Sequence, residues 1–295
     1  MSRCTDTSKY HLSKGTSAAG AYDLEVTPES AGWGYSGLRI VTLAPGESHT
    51  FTTGDAEFLV LPLQGSATVS VAGETFELAG RNGVFASATD FAYVPRATEA
   101  VVASVSGGRF ALPSARTERD LPARYGPVEN VPVELRGAGA CSRQVNNYCL
   151  PHTFDADQLL VCEVLTPGGN WSSYPPHKHD EAVPGEQSEL EEIYYFELDG
   201  GENAFGYQRV YGTEDRPLEV LAEVRDGDTV LIPHGWHGPS IAAPGYDLYY
   251  LNVMAGPGQD RAWLICDDPA HGWVRSTWTT QDVDSRLPFG PKENH

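Results

Sequence analysis

Apolar residues in this chain come in short runs, each of strand length and none long enough for a buried helix. Phe58-Leu59-Val60-Leu61, Leu159-Leu160-Val161 and Thr229-Val230-Leu231-Ile232 are examples, and turn residues bound each of them. No long stretch of helical period lies between them. The 31 glycines and 21 prolines enforce this punctuation, because both residue types break regular elements and favour turns. Short strands bury their apolar faces by building sheets that pack on one another, so the expected fold is an all-β sandwich or barrel. With 295 residues the chain has room for two modest domains or one large β-rich unit.

The same order of parts occurs twice. Ala44-Pro45-Gly46-Glu47, the strand Glu57 to Leu61, Gly65 and the stretch Gly83 to Pro95 form the first version. Thr166-Pro167-Gly168-Gly169, Glu192 to Phe196, Gly200 and Gly227 to Pro233 form the second. Two jelly-roll β-barrels in one chain are therefore expected, at residues 1–125 and 126–295. The proline-rich, charged stretch from Arg116 to Pro132 connects them.

Only the second copy carries a set of metal-ligand residue types. Tyr174-Pro175-Pro176-His177-Lys178-His179 precedes Glu192, and Pro233-His234-Gly235-Trp236-His237 follows. Successive side chains on a strand point to opposite faces, so His177 and His179 share a face and Lys178 turns away. Neutral imidazoles and a carboxylate suit a first-row divalent ion, and four protein ligands leave positions open for substrate if the ion prefers six. The ligand set read here is His177, His179, Glu192 and His237. Glu191, Glu189 and Glu181 compete with Glu192, which is preferred because Ile193-Tyr194-Tyr195-Phe196 follows it as a strand. His234 competes with His237, which is preferred because it follows the Pro-x-Gly turn. In the first copy Thr50 and Thr52 stand near the place of a His-x-His pair and Arg96-Ala97 follows Pro95; His49 and Glu57 alone make no comparable site. The order of glycines, His-x-His, Glu, Pro-x-Gly and His resembles the metal-binding cupins. The insertion from Asp180 to Glu191 is longer than the few residues usual there.

The formal charge of −20 argues against nucleic acid or an anionic membrane as partner, since no basic stripe replaces counterions. Local Arg and Lys residues still allow an anionic small substrate. Cys4, Cys141, Cys149, Cys162 and Cys266 are odd in number and lack metal or redox spacing. They read as free thiols in a reducing compartment. The N-terminus lacks a signal-peptide core and no segment is long and apolar enough to span a bilayer, so a cytoplasmic protein is expected. A homodimer is left open, because no strand announces an interface.

Longer runs carry a more specific resemblance. They are Tyr22-Asp23-Leu24-Glu25-Val26-Thr27-Pro28, Gly32-Trp33-Gly34-Tyr35-Ser36-Gly37-Leu38, Cys141-Ser142-Arg143-Gln144-Val145-Asn146-Asn147, and Gly168 through Asp180. Gln208-Arg209-Val210-Tyr211 and Pro244 through Gly256 complete the set. In these the chain resembles the 5-deoxyglucuronate isomerases of myo-inositol catabolism, a bicupin family related to the uronate isomerases of pectin breakdown. The resemblance implies interconversion of the aldose 5-deoxy-D-glucuronate and the ketose 5-dehydro-2-deoxy-D-gluconate. It also implies one divalent ion, zinc or manganese ahead of iron or nickel, on His177, His179, Glu192 and His237. Family members often have Pro directly after the last His, whereas here Gly238 intervenes before Pro239.

Such an isomerase moves a proton between adjacent carbons through an enediolate, which a Lewis acid stabilises and a positioned base serves. Glu191, Tyr211, Asp247 and Tyr250 are the candidates for that base, with Tyr250 also a candidate for substrate binding. Arg143 and Arg209 are the candidates for holding a substrate carboxylate, because a guanidinium fork forms two parallel bonds to it. Tyr246, Tyr249 and Tyr250 are read mainly as packing, Trp171 and Trp236 as either packing or walls of the site, and His152 and His271 as ordinary histidines. A cupin dioxygenase and a non-catalytic sugar-acid-binding cupin are the rival readings, and neither requires the longer runs.

Overall fold

The computed structural model describes residues 6–290; Cys4 lies outside them. Strands dominate, and no helix among the described residues is long and apolar enough to cross a membrane. The first half forms one sheet of nine strands. Its centre is the long strand Ala56–Val71, paired to Gly108–Arg116, Phe91–Val94 and Glu74–Arg81. The second half divides into a small two-stranded sheet and two large ones. One orders His11–Leu12, Thr229–Ile232, Glu191–Asp199, Asp247–Ala255, Leu160–Thr166, Arg143–Cys149 and Val133–Arg136. The other runs from Glu219–Val224 through Gly206–Tyr211, Trp236–Ala242 and His177–Lys178 to Cys266–Asp267. These are the two cupin barrels. The strand Arg124–Gly126 still pairs with the first half and Val133–Arg136 with the second. The N-terminal segment crosses over, since His11–Leu12 extends the second half's sheet.

On the central strands of the seven-stranded sheet, the period of two sends alternate residues to one of two cores. On Asp247–Ala255, Leu248, Tyr250 and Met254 join the interior of the second barrel. Tyr249, Leu251, Val253 and Ala255 face the first barrel and meet Leu38, Ile40, Leu59, Leu61 and Tyr93. The first barrel has its own interior of Val41, Phe51, Phe58, Val60, Val69, Val94, Val102, Phe110 and Leu112. Each such side chain contributes about 1.5–3 kcal/mol when fully buried, so this doubly buried sheet couples the barrels strongly.

Buried carboxylates fix how the barrels meet. The Arg81 guanidinium of the first donates two bonds of 2.8 Å to Glu163 of the second, which also accepts from Asn146 and the Tyr148 hydroxyl. At the start of Ala56–Val71, Glu57 accepts from the backbone N–H groups of Asp157, Gln158 and Leu159 across the interface, and from the Tyr93 hydroxyl. At the start of Glu191–Asp199, Glu191 accepts from the N–H groups of Gly34, Tyr35 and Ser36 in the opposite direction. The arrangement is reciprocal, and it shifts the sequence correspondence by one residue. Glu57 matches Glu191, not Glu192.

Candidate metal centre

The short strand His177–Lys178 pairs with Trp236–Ala242 so that His177 stands directly opposite His237. His179 follows on the same face. The rings of His177 and His237 lie 4.4 Å apart, and those of His179 and His237 4.7 Å apart. Ligand atoms of the three imidazoles lie within 4.8 Å of one another, the one such group among the described residues. Glu192 enters from the other sheet. Its Oε2 is 3.0 Å from His237 Nε2 and 3.3 Å from His179 Nε2. All four residues are buried.

The long insertion does not disturb this approach. Residues Asp180–Val183 and Gln187–Glu189 form a hairpin of their own, and the Leu190 N–H donates to the His179 carbonyl at 2.8 Å. The chain thus leaves the site and returns beside it, which delivers Glu192. Two glycines shape the turn before and after His237. Gly235 and Gly238 have φ of +86° and +108°, and a Cβ would come within 2.6 Å of the Tyr211 carbonyl and 1.8 Å of the Ser173 carbonyl, respectively. The residue between His237 and Pro239 is therefore glycine for steric reasons.

Four polar atoms meet here without hydrogen-bond partners: Nε2 of His179, Nε2 of His237 and both oxygens of Glu192. Buried orphans of this kind are costly unless something satisfies them. Nδ1 of His177 and of His237 faces the backbone carbonyls of Pro175 and Gly235, leaving each Nε2 for the centre. Burial holds His177 and His237 well below the usual imidazole range, so both are neutral, as a metal ligand must be. Burial pushes His179 the same way, but the adjacent Glu192 carboxylate outweighs it and raises that imidazole. Three imidazoles and a carboxylate with convergent lone pairs fit a single divalent cation.

Lys178 turns away, bonding Asp180 and Glu181 at 2.8 Å and lying over the Trp236 ring. That engagement takes Glu181 out of the centre, and the hairpin carries Glu189 away with it. His234 is half-buried and outside the imidazole group.

The other candidates separate into those inside the barrel and those outside it. Arg143 is inside. It is buried, donates to the carbonyls of Cys141 and Tyr174, lies over the Trp278 ring, and forms no ion pair among the described residues. Burial lowers its pKa to about 10, and its charge is felt at both His177 and Tyr250. Tyr250 is also inside, stacked on Tyr194 at 4.6 Å, and burial pushes its phenol up to about 12. Glu191 is not inside, being spent on the first barrel's backbone. Asp247 accepts from the Gly168 N–H. It stands seven residues from Met254, the neighbour of Glu192, or about 23 Å along the strand. Arg209 and Tyr211 flank the inward Val210 and so face outward, where the guanidinium stacks on the phenol at 4.0 Å and Tyr211 bonds Asp268. Tyr249 faces the first barrel. Trp171 is partly exposed and packs on Tyr174, His271 approaches the same tyrosine, and His152 is exposed.

Sequence reasoning missed Tyr194, whose ring lies 6.1 Å from that of His237. It sits two residues beyond Glu192, so strand parity alone points it to the same face. The thiols of Cys141, Cys149, Cys162 and Cys266 are free.

A crystal structure of an IolB-like protein from Salmonella typhimurium LT2 superimposes with a TM-score of 0.83 at 35% identity, over 90% of this chain and 98% of that one. The oxalate decarboxylase of Lactobacillus farciminis shares the fold at 12% identity, with a TM-score of 0.61 over 88% of each chain. Among curated proteins, the 5-deoxy-glucuronate isomerase of Geobacillus kaustophilus is 44% identical over 92% of this chain and 94% of its own length. The Bacillus subtilis (strain 168) protein of the same name is 40% identical over 85% and 91%. The model of the KduI/IolB family matches residues 11–274, and the chain belongs to that family.

Proposed function

We propose that the protein is a 5-deoxy-glucuronate isomerase whose second barrel holds one divalent ion, zinc or manganese, on His177, His179, Glu192 and His237. The observation that carries this reading is the juxtaposition of a buried, unpaired Arg143 with a cluster of orphaned ligand atoms. A substrate with a carboxylate at one end and a carbonyl beside a hydroxyl at the other has the polarity of that pocket. Relatives named for the activity match over nearly the whole chain. A divalent ion supplies Lewis acidity toward the vicinal oxygens.

The residues of the chain do the rest. Arg143 binds the carboxylate with its planar fork, in a dry setting where the bond is stronger than in water. That anchorage sets which end of the aldose faces the imidazoles. The proton on the carbon next to the aldehyde passes to a base, and its electron pair forms the enediolate; the adjacent hydroxyl proton moves to the former aldehyde oxygen, and return of a proton from the base to the former aldehyde carbon leaves the ketose. Tyr194 and Tyr250 stay protonated because burial raises both phenols. They serve as hydrogen-bond donors to developing oxygen charge. The apolar wall of Leu160, Val164, Phe196 and Met254 excludes water from the intermediate.

The test is proton NMR of 5-deoxy-D-glucuronate with the purified protein in D2O, before and after chelation. Ketose carrying solvent deuterium at the transferred position, lost on chelation and restored by zinc or manganese, is the expected result. Fully metallated protein that leaves the aldose unchanged would sink the assignment.

A further inference from the structure

Beyond the ligands and Arg143, the inner wall of the second barrel holds a row of polar side chains of which the chemistry above uses only Tyr194. Asn147 pairs with Cys162, Cys162 with Asn252, and Asn252 with Tyr194, so the four stand side by side on neighbouring strands. The row is two residues along the strand from Glu192, on the same face. Asn147 and Asn252 are 7% and 3% exposed, and the Oδ1 of each is buried without a hydrogen-bond partner. Glu134 lies beside the Asn147 amide and Cys162 beside that of Asn252, and the carbonyl oxygens are unused. Trp263 adds a buried Nε1–H, also without a partner, beneath the Arg136 guanidinium. Arg136 is itself held by Glu134 and acts electrostatically on Cys162 and Tyr250, which closes the group.

Two acceptors and a donor without partners, on the inner wall that also carries Glu192, match the middle of a polyhydroxylated chain. We propose that Asn147 Oδ1 and Asn252 Oδ1 accept hydrogen bonds from the hydroxyls between the carbonyl and carboxylate ends of the uronic acid, and that Trp263 Nε1 donates to an oxygen of the same ligand. The inference rests on the uronate reading above and adds how the substrate is told from simpler aldehyde acids. A site built to bond a hydroxyl rejects an analogue lacking it, because the buried acceptor is left unpaired.

Asn147→Leu and Asn252→Leu keep the shape of the side chain and remove the acceptor. In metal-loaded protein each is expected to raise KM for 5-deoxy-D-glucuronate about tenfold with kcat little changed, the pattern of lost uniform binding. Metal content and melting temperature should stay at wild-type values. The wild type is expected to prefer the parent sugar over its 3,5-dideoxy and 4,5-dideoxy analogues by about tenfold or more in calorimetric affinity, and the variants should lose that preference. Unchanged KM in both variants, or a wild type that binds the analogues as tightly as the parent, would show that solvent satisfies these amides and would overturn the subsite. Wild-type protein that binds no uronic acid at all would instead overturn the functional reading beneath it.

Discussion

Where Glu192 turns into the interior of the second barrel, the first barrel places Phe58, and one residue earlier Glu191 and Glu57 perform the same task in opposite directions. The two barrels share a plan of sheets and a mode of docking, yet one encloses only packed side chains while the other encloses four convergent ligand atoms and a lone guanidinium. The comparison separates what the architecture needs from what chemistry adds. The capping carboxylate recurs in both copies because each copy must satisfy backbone N–H groups of its neighbour. Among the described residues, the carboxylate that meets the imidazoles occurs in the second copy alone.

Removing the added part should have the largest effect. Glu192→Gln and His237→Ala are expected to lower turnover by at least about three orders of magnitude, given that a Lewis acid is worth several kcal/mol and each 1.36 kcal/mol is tenfold. Metal content measured on the same samples should fall with it. Chelating the wild type should lower its melting temperature as well, because a bound ion stabilises the folded state in proportion to its saturation, whereas the chelated and untreated Glu192→Gln proteins should melt together.

The shared part predicts losses of stability instead. Arg81 and Glu163 form a pair with no exposed side-chain surface. Removing one partner leaves the other charge buried, at a cost of about 3–5 kcal/mol. Arg81→Met should show that loss in urea unfolding, and the double variant with Glu163→Met should recover most of it, since replacing both charges removes the desolvation penalty. A single variant as stable as the wild type would mean that the barrels do not depend on this contact.

Glu57→Gln and Glu191→Gln test the reciprocity directly. Each carboxylate accepts from three backbone N–H groups. Hydrogen bonds to a charged group are worth about 1.5–3 kcal/mol, so both variants are expected to lose stability by similar, smaller amounts. Neither should lose kcat. A collapse of turnover in Glu191→Gln at full metal content would put Glu191 back among the candidates for the base.

Strand parity made much of this legible before any coordinates. It set His177 and His179 on one face with Lys178 on the other, and the Pro-x-Gly turn marked His237. The period of two would also have yielded Tyr194, and it would have turned Arg209 and Tyr211 outward once Val210 was taken as core. What the sequence could not supply is which of two adjacent carboxylates meets which barrel. Glu191 and Glu192 differ only in face, and the partner of Glu191 lies more than 150 residues away. Asp247 was similarly ambiguous, since a motif of long apolar strands does not say which end of a strand carries the site. The hairpin inside the insertion was hidden because its polar residues pair with one another and not with the core.

The weakest expected effect concerns the first barrel's missing histidines. Aligned by order of parts, Thr50 and Thr52 occupy the place of His177 and His179, which suggests that two substitutions would begin a second centre. Both threonines are exposed, and Phe51 between them is the residue that enters the apolar interior. A Thr50→His, Thr52→His variant should therefore place its imidazoles in solvent, on the face away from Phe58, where the exposed Glu99 stands opposite residue 52 but no buried carboxylate converges on them. Its metal content should equal that of the wild type, and its stability should change by no more than about 0.5 kcal/mol, as for surface substitutions generally. One additional tightly bound ion per chain would mean that this strand shifts its register readily, and that the first barrel lacks a metal only for want of ligands, not because its packing forbids one.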